Sequence, residues 1–114
     1  DFNYVKDTVE AFISVAESDK TIGQVVNVGS NHEISIGDLA RNIIELTNNE
    51  VKIICDEERL RPEKSEVNRL WADNAKIKEL IGWEPKYALK EGLKETIHWI
   101  ENNMEYYKPD IYNV

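Results

Sequence analysis

The chain has 114 residues, a formal net charge of -8, and 32% charged against 41% hydrophobic residues. These are globular proportions that exclude a disordered or collagen-like chain. The acidic balance argues against broad nucleic-acid binding, which needs a basic face to displace counterions from phosphate. No apolar stretch approaches the roughly 20 residues of a membrane helix, and no basic start leads into an apolar run as a signal peptide requires.

Residues 1–5 read as a short extended piece. A helix follows, with Val9, Phe12, Ile13 and Ala16 at the spacing of one buried stripe and Asp7 placed to cap its first turn. Ser18, Asp19, Lys20 and Gly23 end it. Val25, Val26, Asn27 and Val28 form a β-branched run that reads as a buried strand, closed by a turn at Gly29-Ser30-Asn31. Ser35, with Asp38 three residues on, is a capping-box variant that opens a second helix. Ile36, Leu39, Ala40, Ile43, Ile44 and Thr47 are its stripe, and Asn48-Asn49 stop it. Residues 51–54 read as another strand.

From Cys55 to Leu70 periodicity disappears and charge dominates, so 55–70 reads as a long surface loop within the domain. Beyond it, Asp73 is the expected N-cap of a short helix carrying Ile77, Leu80 and Ile81. Gly82 suits the left-handed position that ends it. The last helix presents Leu89, Leu93, Thr96, Ile97, Ile100 and Met104 on one face. The fold class expected is α/β, with about four helices and a few short strands.

The single cysteine, Cys55, forbids an internal disulfide and fits a reducing, cytoplasmic setting. It reads as a small buried side chain, with no histidine near it in sequence to activate it. His32 and His98 lack partners at metal-ligand spacing, so no metal site is expected. The five glycines, Gly23, Gly29, Gly37, Gly82 and Gly92, make neither a dinucleotide-binding nor a phosphate-cradling motif. No nucleophile elbow and no Tyr with a Lys four residues later are present.

One positive constellation stands out. Arg59, Arg61, Lys64 and Arg69 share one loop of an acidic protein, with Glu66 among them. Arginine forks grip phosphate or carboxylate bidentately, and a carboxylate accepts hydrogen bonds from sugar hydroxyls. The bland reading is a solvated loop of mixed charge with weak ion pairs. Trp71, Trp83 and Trp99 could stack on a base or sugar, but Trp83 and Trp99 each border an apolar stripe and read as core.

Three segments together resemble the C-terminal part of extended short-chain dehydrogenase/reductase enzymes, the NAD-dependent nucleotide-sugar epimerases and 4,6-dehydratases. Residues 1–7, Asp-Phe-Asn-Tyr-Val-Lys-Asp, are similar to that family's R-D-F-x-Y/H-V-x-D. Val26-Asn27-Val28-Gly29-Ser30, leading to Ile34-Ser35-Ile36, is similar to its N-[VI]-G-x-G-x-x-x-[ST]-[IV] turn. Arg61-Pro62, Ser65-Glu66-Val67, Asp73, Leu80-Ile81-Gly82-Trp83-Glu84-Pro85 and Leu89-x-x-Gly92-Leu93 are similar to its R-P…V…D…L-G-W-x-P signature. The chain departs from the pattern at Asn31, which replaces a glycine but tolerates left-handed backbone, and at Ala88, where Ser or Thr often caps the last helix.

The resemblance implies that residues 1–114 form the small C-terminal nucleotide-sugar-binding segment of a larger enzyme, detached from its N-terminal Rossmann domain. Arg61 matches the position that grips the nucleotide diphosphate, and Glu66 an acidic position that contacts the ribose. The Ser-Glu-Val spelling leans toward 4,6-dehydratases, and the substrate implied is a UDP- or dTDP-sugar. The parent would be a homodimer that uses NAD to oxidise the sugar at C4, so that the neighbouring carbon can undergo elimination or inversion. The isolated segment, which starts at Asp1 rather than Met, would bind no NAD, lack the catalytic Tyr and Lys, be inactive, and self-associate through the apolar surface it exposes. The alternative is a free-standing acidic binding module without catalytic activity.

Overall fold

A computed structural model describes residues 1–54 and 67–108. Four α-helices run in chain order: α1 (Val5–Ala16), α2 (Ile36–Thr47), α3 (Ala75–Ile81) and α4 (Leu89–Glu101). Single 3-10 turns follow α1 at Asp19–Thr21 and α4 at Met104–Tyr106.

The helix boundaries are chemically local. Ser35 adopts extended backbone, and its hydroxyl oxygen accepts the Asp38 N–H at 3.0 Å, which satisfies one free donor of the first turn of α2. Asn48 ends that helix in the left-handed region at φ +51°. Gly82 ends α3 at φ +72°, with its N–H donating to the Lys78 carbonyl at 2.8 Å. A side chain here would be strained by backbone geometry alone. Asn31 lies at φ +55°, the left-handed turn expected of it. Ala88 precedes α4 without an acceptor of its own, so the cap is one-sided: the Glu91 carboxylate accepts the Ala88 N–H at 3.1 Å.

The core is small. Ala11 of α1, Ile77 of α3 and Trp83 form its centre, and Val15, Val26, Val28 and Ile81 pack around it. Trp83 is therefore core, as its place beside the α3 stripe implies. A second contact ties the start of α1 to α4. The Tyr4 and Tyr87 rings lie tilted at 4.7 Å between centroids. A Cβ at Gly92 would stand only 3.0–3.2 Å from Tyr4, so the glycine of the Leu89-x-x-Gly92-Leu93 signature makes room for that ring.

Several sequence expectations are corrected. Asp7 does not cap α1. It lies inside the helix, buried, and its two carboxylate oxygens accept the backbone N–H groups of Lys86 and Tyr87 at 2.9 and 3.2 Å. Residues 7, 11 and 15 sit four apart, so the inward row of α1 is Asp7, Ala11 and Val15. The expected stripe faces out instead: Val9, Phe12 and Ile13 are 51%, 74% and 52% exposed. The period was right, but nothing among the described residues covers that side. Asn74, not Asp73, is the residue flanking α3, and the Asp73 carboxylate accepts the Ala75 N–H one step outside the helix. Trp99 is half exposed and meets Tyr107 edge to face at 6.2 Å rather than entering the core.

Residues 25–28 and 51–54 form no strand, and no strand occurs among the described residues. β-branched runs favour pleated backbone, but a strand exists only when its N–H and C=O groups meet a neighbour. Neither run has a ladder partner here. The α/β expectation is met in its helices and not in its strands.

Gly29 instead presses against Ala72 without a ladder. A Cβ built on Gly29 would come within 2.4 Å of the Ala72 Cβ. We expect Gly29→Ala to destabilise the protein by about 1–3 kcal/mol through overpacking. Urea unfolding measures this, and pairing it with Ala72→Gly should restore part of the loss. An unchanged midpoint in the single variant would show that the two segments are not in contact.

Candidate functional site

The two residues singled out for ligand binding, Arg61 and Glu66, lie outside the described residues, as do Cys55, Arg59 and Lys64. The chain re-enters the described structure at Val67. Residues 67–70 line an open groove of about 640 Å³, whose other wall is made by residues 1–2 and the turn leading into α2, including Glu33, Ser35 and Asp38.

Polar side chains, not a strand ladder, hold the two walls together. Arg69 reaches Glu33 with both prongs of its guanidinium, Nε to Oε1 at 2.7 Å and Nη2 to Oε2 at 2.5 Å. The Trp71 indole N–H donates to the Asn31 side-chain oxygen at 2.8 Å. Asp1 closes the other side: its backbone nitrogen donates to the Leu70 carbonyl at 2.8 Å, and its carboxylate accepts from the Ala72 N–H at 3.1 Å. The same carboxylate accepts from the Ser30 N–H, the Ser30 hydroxyl and the Asn31 N–H at 2.8, 2.6 and 3.2 Å. One aspartate thus pins the Gly29 turn to the segment beyond the charged loop. Below it, the buried Asn74 amide donates to the Gly29 carbonyl at 2.6 Å.

Two of the carboxylates along the groove are paired with arginines, Glu33 with Arg69 and Asp38 with Arg41. The hydrogen bond from Arg69 holds the Glu33 carboxyl below its usual value and raises the Arg69 guanidinium in return. Asp38 is likewise lowered, first by the Ser35 hydroxyl and then by Arg41. Folded-state values depressed in this way leave both carboxylates ionised through the neutral range.

Sequence reasoning missed Asp1, Glu33 and Asn74 as architects of this region and grouped Arg69 with the loop's candidate phosphate-gripping cations, whereas its guanidinium is bonded to Glu33. Their partners lie 36 to 71 residues away for the Arg69, Asn74 and Ala72 contacts, and spacing along a chain carries no signal for such pairs. Trp71, considered as a stacking platform, is 59% exposed with its ring fixed by Asn31. Among the described residues no group of three His, Cys, Asp or Glu side chains gathers as a metal site, and no helix is long and apolar enough to cross a membrane.

Comparison with known proteins gives this geometry a family. A family model described as GDP-mannose 4,6 dehydratase matches residues 1–96. The chain is 38% identical over 107 residues to UDP-N-acetyl-alpha-D-glucosaminuronate decarboxylase of Bacillus cytotoxicus, covering 90% of this chain and 33% of that protein. It is 36% identical to human dTDP-D-glucose 4,6-dehydratase, covering 94% of this chain and 31% of that one. The UDP-glucuronate 4-epimerase of Thermodesulfobacterium geofontis is 34% identical, with 95% of this chain and 32% of that protein covered. Among solved structures, an epimerase from the methanogen Methanothermobacter thermautotrophicus superposes with a TM-score of 0.83 at 29% identity, over 93% of this chain and 31% of that one. The chain thus spans about a third of the length of these relatives. All three motif segments fall inside the matched stretch, and the chain belongs to the GDP-mannose 4,6 dehydratase family, among the NAD-dependent nucleotide-sugar epimerases and dehydratases of the extended short-chain dehydrogenase/reductase type.

Proposed function

We propose that this chain forms the nucleotide-sugar side of the active cleft of a larger cytoplasmic dehydratase or 4-epimerase, with Arg61 gripping the diphosphate and Glu66 the ribose. The observation that carries this reading is the family match over residues 1–96, which takes in the Arg61-Pro62 and Ser65-Glu66-Val67 segment together with its structural frame. Relatives named for UDP- and dTDP-sugars support that substrate class. The Ser-Glu-Val spelling favours the 4,6-dehydratases within it.

The chain's own contribution is binding and orientation. Arg61 supplies a planar fork of donors to two phosphate oxygens, and Glu66 supplies acceptors to sugar hydroxyls. NAD is the cofactor expected of the whole enzyme, where it supplies a hydride acceptor. The residues here do not fit a dinucleotide cradle, because the glycines serve other ends: Gly29 abuts Ala72, Gly82 closes α3 and Gly92 makes room for Tyr4. In this reading the cofactor and the catalytic Tyr and Lys belong to the N-terminal Rossmann domain of the larger enzyme, a homodimer, and residues 1–114 alone are inactive.

The exposed side of α1 and the unpaired 25–28 run fit the same reading, as surfaces that the larger enzyme covers. Apolar faces left open favour association. We expect the isolated 114-residue chain to self-associate in sedimentation equilibrium, and Phe12→Glu to weaken this. A clean monomer at high concentration would remove the argument from exposure.

The test of function is calorimetric titration of the intact protein with UDP and UDP-sugars, before and after Arg61→Ala. Loss of affinity in the variant supports the assignment, and unchanged affinity overturns it.

A further inference from the structure

The outward face of α1 reads alike in both directions. Val5, Val9 and Ile13 stand four residues apart in one exposed row, with Phe12 and Ala16 beside it. Val5 and Ile13 are equally distant from Val9. A second copy of the helix, turned end for end about a two-fold axis at Val9, therefore sets Val9 on Val9 and Val5 on Ile13. Such a contact is self-complementary, as a two-fold interface requires. No charged residue falls in the row.

The flanks fit the same arrangement, because in an antiparallel two-fold pair each flank meets its own copy. One flank carries Lys6 and Glu10. The axis brings Lys6 of one copy within a helical turn of Glu10 of the other, and the reverse, so opposite charges meet twice. On the other flank, Phe12 comes within a turn of Thr8 of the second copy. There a cavity of about 350 Å³ lies between α1 and the 25–28 run, walled by Thr8, Ala11, Phe12, Val15, Val26 and Val28. Its apolar walls lack packing partners until an apolar group enters.

We propose that the 114-residue chain forms a two-fold dimer through α1, antiparallel and centred on Val9, with Phe12 of each copy seated at the α1 cavity of the other. The association expected of this exposed face is thereby a closed pair and not open-ended clustering. Val5, Val9, Phe12 and Ile13 of both copies leave water together, which is the driving force. In the larger enzyme read above, other parts cover this face, and the second copy takes their place on the 114-residue chain. The contact involves no ligand, so UDP binding and pairing stand or fall separately.

The experiment uses the full 114-residue chain with Cys55→Ser, which removes the native thiol. Sedimentation equilibrium should give a monomer–dimer equilibrium with no larger species. Phe12→Glu should raise the dissociation constant about a hundredfold, because each dimer would then bury two carboxylates against apolar walls. Single cysteines placed on α1 and oxidised with diamide read the register. Val9→Cys should cross-link to itself in high yield. Val5→Cys and Ile13→Cys should cross-link when the two variants are mixed, and Val5→Cys alone should not. Two copies of residue 5 lie about 12 Å apart along the helix axis in this register, beyond the reach of a disulfide. A monomer at all concentrations, or species larger than a dimer, would overturn the proposal. So would a dimer in which Val5→Cys cross-links to itself as readily as Val9→Cys, which is the mark of a parallel pair, or one in which Val9→Cys does not cross-link at all.

Discussion

Asp7→Ala is expected to destabilise the protein by about 3 kcal/mol. Asp7 is 1% exposed and, among the described residues, is one of the largest side chains to be fully buried. Both its oxygens are used, on the N–H groups of Lys86 and Tyr87, nearly 80 residues away. Hydrogen bonds to a charged group are worth about 1.5–3 kcal/mol each, and a donor left without a partner on burial costs about 1–3 kcal/mol. Two such donors are orphaned together. Asp7 also sits in the first turn of α1, where a negative charge meets the positive end of the helix dipole.

Asp7→Asn should fall between, because one amide oxygen can still accept while the amide nitrogen faces a second donor. The neighbouring Lys86–Glu10 pair is exposed and does not compensate. Chemical denaturation measures the difference. A loss under about 0.5 kcal/mol, the range of ordinary surface substitutions, would mean that α1 is not anchored to the segment before α4 in this way. The wider effect would be on Tyr4, Tyr87 and Gly92, whose packing relies on that anchor.

Arg61→Ala is the variant with the largest expected effect on binding. A guanidinium on a diphosphate makes charge-assisted, paired hydrogen bonds. Removing one such contact, at about 1.5–3 kcal/mol, weakens affinity about tenfold to a hundredfold. Arg61→Lys should recover only part of it, because an ammonium keeps the charge and loses the fork. The loss should be larger for UDP than for UMP, whose single phosphate offers fewer oxygens. Equal losses for both would place Arg61 away from the second phosphate.

The helices were legible because their signals are local. Ser35, Asn48, Gly82 and the apolar spacing of each segment act within one or two turns, and the structure honours them at the ends of α2 and α3. Asn31 was legible for the same reason, through its tolerance of positive φ. What failed needed a partner at long range. The stripe Val9, Phe12 and Ile13 announces a face that wants cover, and says nothing of what covers it. The runs 25–28 and 51–54 have strand composition and no strand beside them among the described residues. Asp7 was misread because an acid near a helix start is usually a cap, although its alignment with Ala11 and Val15 at four-residue spacing marked it as inward-facing. Arg61 and Glu66 are site candidates from motif order and lie outside the described residues, while the contacts among Asp1, Glu33, Arg69, Asn31 and Trp71 are legible only in three dimensions.

The central claim is that this chain provides a nucleoside-diphosphate-sugar site. Its most direct test is a calorimetric titration of the unaltered intact protein with UDP, dTDP and their sugar conjugates, with UMP and inorganic phosphate as controls. Saturable binding of one diphosphate class is expected, with weaker binding of UMP and no binding of phosphate at the same concentrations. Equal heats for UMP and UDP, or no heat with any diphosphate, would contradict it.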